Sequence, residues 1–137
     1  MIAEDNRSQK PNVAHDGING YGTVVDVNTG KAQNIDTYER YALELMKAVS
    51  ARCVNAGAID IGHIKAYLEG DRLFVYASAV GDAPDITVKS EGDGSPMAVS
   101  LTINSVVYGI DKDALKNATD DALDEVAGVF GFTVTKR

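Results

Sequence analysis

The sequence predicts an α+β fold of the ferredoxin-like kind, with two helices packed on one face of a mostly antiparallel sheet. Two segments space their apolar residues as a helix with one buried stripe does, and several others alternate apolar and polar residues as strands do. The predicted order is strand, helix, strand, strand, strand, helix, strand. Because each helix has a single apolar stripe, each can cover one face of a sheet and no more.

The beginning of the chain is too polar to predict a packed element. Residues 1–19 contain only scattered Ile and Val, so we expect a flexible N-terminal arm, followed by a single α+β domain over residues 20–137. The first strand is predicted at Thr23–Val27, which is short and β-branched. It ends at the turn-forming run Asn28–Lys31.

The first helix has the clearest signals in the chain. Asp36 is the predicted N-cap, because Glu39 follows at the spacing of a capping box, and Gly57 is placed to end the helix in a left-handed conformation. The residues predicted to form its buried stripe are Tyr38, Tyr41, Ala42, Leu45, Met46, Val49 and Cys53.

Three extended segments follow the first helix, at Ala58–Leu68, Leu73–Val80 and Met97–Tyr108. The pair Gly70-Asp71 indicates a hairpin turn between the first two of them. Residues 85–96 are rich in turn-forming residues, and only Ile86–Val88 can extend a strand there.

Alternation in these strands separates an apolar face from a second face that bears Phe74, Tyr76, Thr102 and Asn104. Such residues are too aromatic for an ordinary solvent surface, so we expect a partner protein, a second copy or another domain to cover this face.

The second helix is predicted to begin at Asp111 or Asp113 and to end at Gly131, with a last strand at Phe132–Thr135. Its predicted apolar stripe is Leu115, Ala118, Ala122, Val126 and Val129. Its acidic residues are predicted to lie largely on the opposite side, namely Asp120, Asp121, Asp124 and Glu125.

Composition excludes several classes of function. The chain of 137 residues has 20 Asp and Glu against 13 Lys and Arg, a net charge of -7, which argues against nucleic-acid binding. One cysteine excludes an internal disulfide framework. No apolar run reaches the roughly 20 residues that span a bilayer, and the polar beginning does not resemble a signal peptide. We therefore expect a cytoplasmic protein with no membrane contact.

Few residues point to chemistry. The run Thr29–Ala32 lacks the upstream glycine and the hydroxyl residue of a phosphate-binding loop, and indicates a turn. His63 could ligate a metal or carry a proton, but the sequence supplies no fixed second ligand. This favours a sheet-face histidine that is packed against Tyr76 or hydrogen-bonded to a neighbour. Cys53 lies on the buried stripe and is predicted to be a core residue. An anion site framed by Lys65, Arg72 and Lys89 is a less favoured alternative.

One stretch of the chain resembles a known family. Residues 53–69 read CVNAGAIDIGHIKAYLE, a helix end followed by a strand with His, Lys and Leu-Glu; residues 101–107 read LTINSVV before the helix near Asp111. Over Asp36 to Gly131 this resembles the C-terminal domain of CobW-like GTPase metallochaperones. The phosphate loop and cysteine-rich metal motif of that family's GTPase domain are absent, so neither GTP hydrolysis nor metal ligands are transferred. The resemblance implies an accessory domain that docks a partner or shields a ligand.

These observations together predict a non-catalytic binding or protein-interaction module, accessory to cofactor or metal handling. The alternatives are a small-molecule-binding regulatory domain that acts as a homodimer and, least favoured, a small enzyme that uses His63. The predicted partner is another protein or a second copy, bound through the exposed sheet face. The predicted binding residues are His63, Lys65, Tyr76 and Asn104; no catalytic or metal-binding residue is predicted, and the cofactor stays open.

Overall fold

The structure, a computed structural model, describes residues 17–81 and 84–137, and these form six strands and two helices. The elements in chain order are β1 (Ile18–Asn28), α1 (Ile35–Asn55), β2 (Asp60–Gly70), β3 (Leu73–Val80), β4 (Asp85–Gly92), β5 (Ala98–Tyr108), α2 (Lys112–Phe130) and β6 (Thr133–Lys136).

The strands form one sheet in the order β4-β3-β2-β5-β1-β6, and all neighbouring strands are antiparallel. Helix α1 connects β1 to β2 with β5 between them, and α2 connects β5 to β6 with β1 between them. The four strands β2-β5-β1-β6 and the two helices therefore have a ferredoxin-like arrangement, which the β3–β4 hairpin extends beyond β2. The predicted α+β fold is confirmed.

Helix α1 confirms the predicted stripe, because all seven of its residues are buried. Its N-cap is Asn34, not Asp36: Asn34 has an extended backbone, and its Oδ1 accepts from the backbone N–H of Thr37 at 3.0 Å. Asp36 lies in the first turn, where its negative charge interacts favourably with the positive end of the helix dipole. At the other end Gly57 has a φ of 110° and donates its N–H to the Val54 carbonyl, so the predicted glycine terminator is confirmed.

Helix α2 begins and ends as predicted. The Asp111 side chain accepts from Ala114 N at 2.8 Å, and Gly131 has a φ of 74°. The predicted stripe is wrong at Val129, which is 78% exposed. Phe132, which follows the helix, is buried at this end of the core with its ring 5.3 Å from that of Tyr41, so the core is already filled there.

The predicted strands are confirmed as strands, but two are longer than expected. Strand β1 begins at Ile18 because its ladder with β5 extends from Ile18 to Asn28, and β4 covers Asp85–Gly92 because it pairs with β3 throughout. Of the predicted N-terminal arm, residues 1–16 lie outside the described residues, as does Asp82 in the β3–β4 connection.

Asp120 is the exception to the predicted acidic outer side of α2, because its side chain is only 12% exposed. Its carboxylate accepts from the Tyr21 hydroxyl at 2.9 Å, from Lys116 Nζ at 2.9 Å and from Lys136 Nζ at 2.6 Å. Burial of the carboxylate acts to raise the pKa of Asp120, but these three hydrogen bonds together outweigh it and lower the pKa. The carboxylate thereby joins α2 to β1 and β6.

An aromatic cluster closes one end of the core between the helices. It comprises Tyr38 and Tyr41 of α1 together with Phe130 and Phe132. The ring centroids of Phe130 and Phe132 are 5.4 Å apart. The Tyr38 hydroxyl donates to the Pro96 carbonyl at 2.6 Å. The Tyr41 hydroxyl, in contrast, is buried and has no hydrogen-bond partner among the described residues. Burial raises the pKa of both tyrosines, and a hydrogen bond with Thr29 partly offsets it for Tyr38.

Candidate binding face

Both helices pack on the same face of the sheet, and no element of the described residues covers the other, which we call the open face. Every second strand residue lies on it, while the residues between them are in the core. On β3 the open face comprises Phe74, Tyr76, Ser78 and Val80. On β2 it comprises His63, Lys65, Tyr67 and Glu69, and on β5 it comprises Ser100, Thr102, Asn104 and Val106.

All four predicted binding residues lie on the open face. Lys65 of β2 is directly opposite Asn104 of β5, and His63 is opposite Val106. Tyr76 lies on the other neighbour of β2. His63, Lys65 and Tyr76 are half-buried and Asn104 is exposed. The structure therefore places these residues on one surface, although whether they bind anything stays a prediction.

A bulge in β2 places His63 on this surface. The ladder between β2 and β5 shifts by one residue between Ile61 and His63, with Gly62 as the extra residue. A Cβ at Gly62 would lie 2.9 Å from the backbone oxygen of Val106, so only glycine fits without displacement of β5. The bulge allows Ile61 and Ile64 both to enter the core while His63 lies on the open face.

Three aromatic residues form the centre of the open face. The Tyr67 ring lies 5.3 Å from that of Tyr76 and 6.3 Å from that of Phe74, measured between centroids. Phe74 is 37% exposed, and the two tyrosines are half-buried. Tyr67 was not predicted as a site residue. The predicted turn at Gly70-Asp71 is wrong by one residue, because Gly70 pairs with Leu73 and the turn consists of Asp71 and Arg72. This register places Tyr67 opposite Tyr76.

Charged side chains surround this aromatic centre in a regular order. On edge strand β4, Lys89 is opposite Tyr76, and Glu91 is opposite Phe74. On β2, Lys65 and Glu69 lie on either side of Tyr67 along the strand. Lys89 is therefore level with the two tyrosines across the sheet, and Glu69 and Glu91 are level with Phe74. Lys65 lies two residues from Tyr67 along β2, on the side away from the carboxylates.

At the end of the sheet formed by β1 and β6, the charges are neutralised within the chain. Arg137 Nη2 lies 2.9 Å from Asp26 Oδ1, and both side chains are more than half exposed. Asn104 lies over β1, and a Cβ at Gly22 would collide with its Oδ1 atom. Glycine at this position therefore makes the space in which the Asn104 amide lies.

The other candidates from the sequence lie elsewhere. Cys53 is fully buried, and burial raises the pKa of its thiol to about 11, as expected for a core residue. Arg72 lies in the β2–β3 turn and pairs with Asp93 of the β4–β5 connection at 3.0 Å. Strand β3 separates Lys65 from Lys89, so these three cations do not frame one anion site. Gly30 has a φ of 80°, which confirms a turn in the run that lacks the phosphate-loop pattern.

Two further observations concern the described part of the chain. Within it, no three side chains of the His, Cys, Asp and Glu types are grouped so that they could hold a metal ion. Neither of its helices has the length and apolarity needed to cross a bilayer.

Comparison with known proteins gives only low structural similarity to solved structures. No protein-family model and no curated protein sequence matches the chain. The structure of Zn(II)-bound YjiA GTPase from E. coli is 11% identical over 88% of this chain, with a TM-score of 0.40. A Zn(II)-bound triple mutant of YjiA GTPase is 12% identical over 77% of this chain, with a TM-score of 0.39. AtUAH in complex with (S)-hydroxyglycine is 13% identical over 88% of this chain, with a TM-score of 0.45.

The chain spans 34%, 30% and 27%, respectively, of the length of these three proteins. At these TM-scores and identities the similarity assigns neither a family nor an activity to this chain.

Proposed function

We propose that this chain is a non-catalytic protein-interaction module that docks onto another protein surface through the open face. The observation that carries the proposal is the cluster of Tyr67, Phe74 and Tyr76 on a sheet face that no described element covers. Tyrosine and other aromatic side chains are enriched in the centres of protein interfaces, where they supply apolar area at a small cost in side-chain entropy.

The surroundings of the cluster support the same function. His63, Lys65 and Asn104 provide hydrogen-bonding groups beside the aromatic residues, and Lys89 and Glu91 provide charges at the edge. An apolar centre with a polar rim is the usual composition of a protein interface.

The finer form of the proposal is a role accessory to cofactor or metal handling. It is supported by the sequence resemblance over Asp36 to Gly131, in which the accessory domain and not the GTPase domain is matched. In this role the open face would dock onto the protein that handles the cofactor or metal.

Site-specific photocrosslinking in the native cell tests the docking function. Phe74 is replaced by the photoreactive aromatic p-benzoylphenylalanine, which retains a ring at this exposed position. The matched control carries the same group at Val129, which is 78% exposed on α2 and lies away from the open face.

We expect a discrete protein adduct from position 74 and none, or a much weaker one, from position 129. Mass spectrometry of the adduct identifies the partner, either another protein or a second copy of this chain. Absence of any adduct from position 74, with both variants folded by circular dichroism, would refute docking through the open face.

A further inference from the structure

We infer that the open face binds a second copy of this chain, packed face to face about a two-fold axis that runs across the strands. This inference rests on the proposed function, because it names the partner of the same face. It is carried by the order of charges and aromatic residues on that face.

Two neighbouring rows of side chains run across the open face. The first row contains Lys89, Tyr76 and Tyr67, on β4, β3 and β2 respectively. The second row is displaced from the first by two residues along each strand, and it contains Glu91, Phe74 and Glu69. In each row the residues are direct cross-strand partners.

A two-fold axis between these rows, lying in the plane of the interface, exchanges one row with the other. Lys89 then lies opposite Glu91 of the second copy, and Tyr76 lies opposite Phe74 of the second copy. Because a two-fold interface repeats each contact, the Lys89–Glu91 pair occurs twice. The face is therefore complementary to itself in charge at β4, and aromatic residues meet at β3. At β2 the same axis places Tyr67 opposite Glu69 of the second copy.

The distribution of charge over the rest of the chain favours this face for self-association. The chain has a net charge of -7, and the exposed carboxylates Asp121 and Asp124 lie on the outer side of α2. Two copies that met through their helices would bring these carboxylates together. On the open face, in contrast, cations and carboxylates lie side by side, so two copies can meet without like-charge repulsion.

The size of the face is sufficient for a dimer. Six strands about 4.8 Å apart, with about eight residues each at about 3.3 Å per residue, give a plan of about 24 by 26 Å. Its accessible surface is of the same order as the roughly 800 Å² that each partner buries in a stable interface. Face-to-face packing of two such sheets makes a sandwich, which is a common way to cover apolar sheet faces.

Sedimentation equilibrium of charge-swap variants tests this inference. The wild-type chain is expected to sediment as a dimer. Lys89→Glu and Glu91→Lys each place like charges opposite one another twice, and each is expected to raise the dimer Kd about tenfold or more. The double variant Lys89→Glu/Glu91→Lys restores opposite charges, so its Kd should return to within a few-fold of the wild type.

The matched control is Lys47→Glu, which makes the same change of charge on the outer side of α1, where Lys47 pairs with Glu44 at 3.5 Å. It should leave the dimer Kd within a few-fold of the wild type. A dimer whose Kd does not change in either single variant, or does not recover in the double variant, would overturn the inferred arrangement.

The outcome also separates this inference from the proposed function. A wild-type monomer that still forms a photoadduct from position 74 with a different protein would refute the second copy and leave docking through the open face intact. A monomer without any adduct would refute both.

Discussion

The two tyrosines of the aromatic cluster should respond with opposite signs to loss of the hydroxyl group. Tyr41 and Tyr38 are both fully buried on α1. The hydroxyl of Tyr41 has no hydrogen-bond partner among the described residues, whereas the hydroxyl of Tyr38 donates to the Pro96 carbonyl at 2.6 Å. Replacement by phenylalanine keeps each ring in its contacts with the cluster and removes only the polar group.

For Tyr41→Phe we expect a gain in the free energy of unfolding. Burial of a hydroxyl without a hydrogen bond costs about 1–3 kcal/mol in proteins. A cavity of roughly 10–15 Å³, the smallest that could hold one water, would cost about 0.3 kcal/mol at about 24 cal/mol per Å³. The difference predicts a stabilisation of about 1 kcal/mol or somewhat more.

For Tyr38→Phe we expect a loss, because the substitution breaks a hydrogen bond to a part-buried backbone acceptor. Such a loss costs about 1 kcal/mol, because the Pro96 carbonyl still accepts from the backbone N–H of Gln33 at 3.4 Å. The two variants remove the same atom from neighbouring rings, so each serves as the control for the other.

Urea denaturation followed by circular dichroism measures both effects, provided that the dependence on urea concentration keeps the same slope in all three proteins. The expected result is a higher midpoint for Tyr41→Phe and a lower midpoint for Tyr38→Phe. If Tyr41→Phe lost as much stability as Tyr38→Phe, the Tyr41 hydroxyl would have a hydrogen-bond partner in solution. That result would refute the expectation that this hydroxyl is buried without one.

Two further predictions concern titratable groups. Asp120→Asn should lower the free energy of unfolding at neutral pH by about 1 kcal/mol, a value reduced because the partner lysines are half exposed. Since the pKa of Asp120 is lowered in the folded state, its contribution is present above its ordinary value near 4 and is lost as pH falls through the lowered value. The difference between variant and wild type should therefore vanish in acid denaturation curves, and a constant difference at all pH values would contradict it. The thiol of Cys53, with a pKa of about 11 in the core, should react with an aromatic disulfide reagent at neutral pH only as fast as the chain opens, and rapidly in urea. Rapid reaction of the native chain would show that the core is open at this point.

Local patterns predicted most of the fold because they act over short distances along the chain. All seven residues that apolar spacing assigned to the α1 stripe are buried, and Gly57 and Gly131 ended both helices as predicted. The errors occurred where a pattern had two solutions. Asn34 and Asp36 can both accept a backbone N–H, and only the backbone conformation selects Asn34. Val129 continues the spacing of the α2 stripe, but Phe132 already fills the core beside it.

The candidate site was partly predictable for the same reason. Alternation along each strand is sufficient to place Tyr76 and Asn104 on the face opposite the helices. It is not sufficient for His63, since the bulge at Gly62 shifts the alternation of β2 by one residue. It also cannot show that Tyr67 stacks beside Tyr76, because that contact depends on the register between two strands.

Short-range patterns along the chain specify which residues form helices and strands and which side of each element is apolar, since these properties depend on neighbours within a few positions. Which distant residues meet depends on the packing of the whole chain. The order of the strands brings Tyr21 to Asp120, which is 99 positions away, and aligns Lys89, Tyr76 and Tyr67 in one row. Such contacts depend on how complete strands and helices pack together, and this packing minimises exposed apolar area over the whole chain instead of following any local pattern.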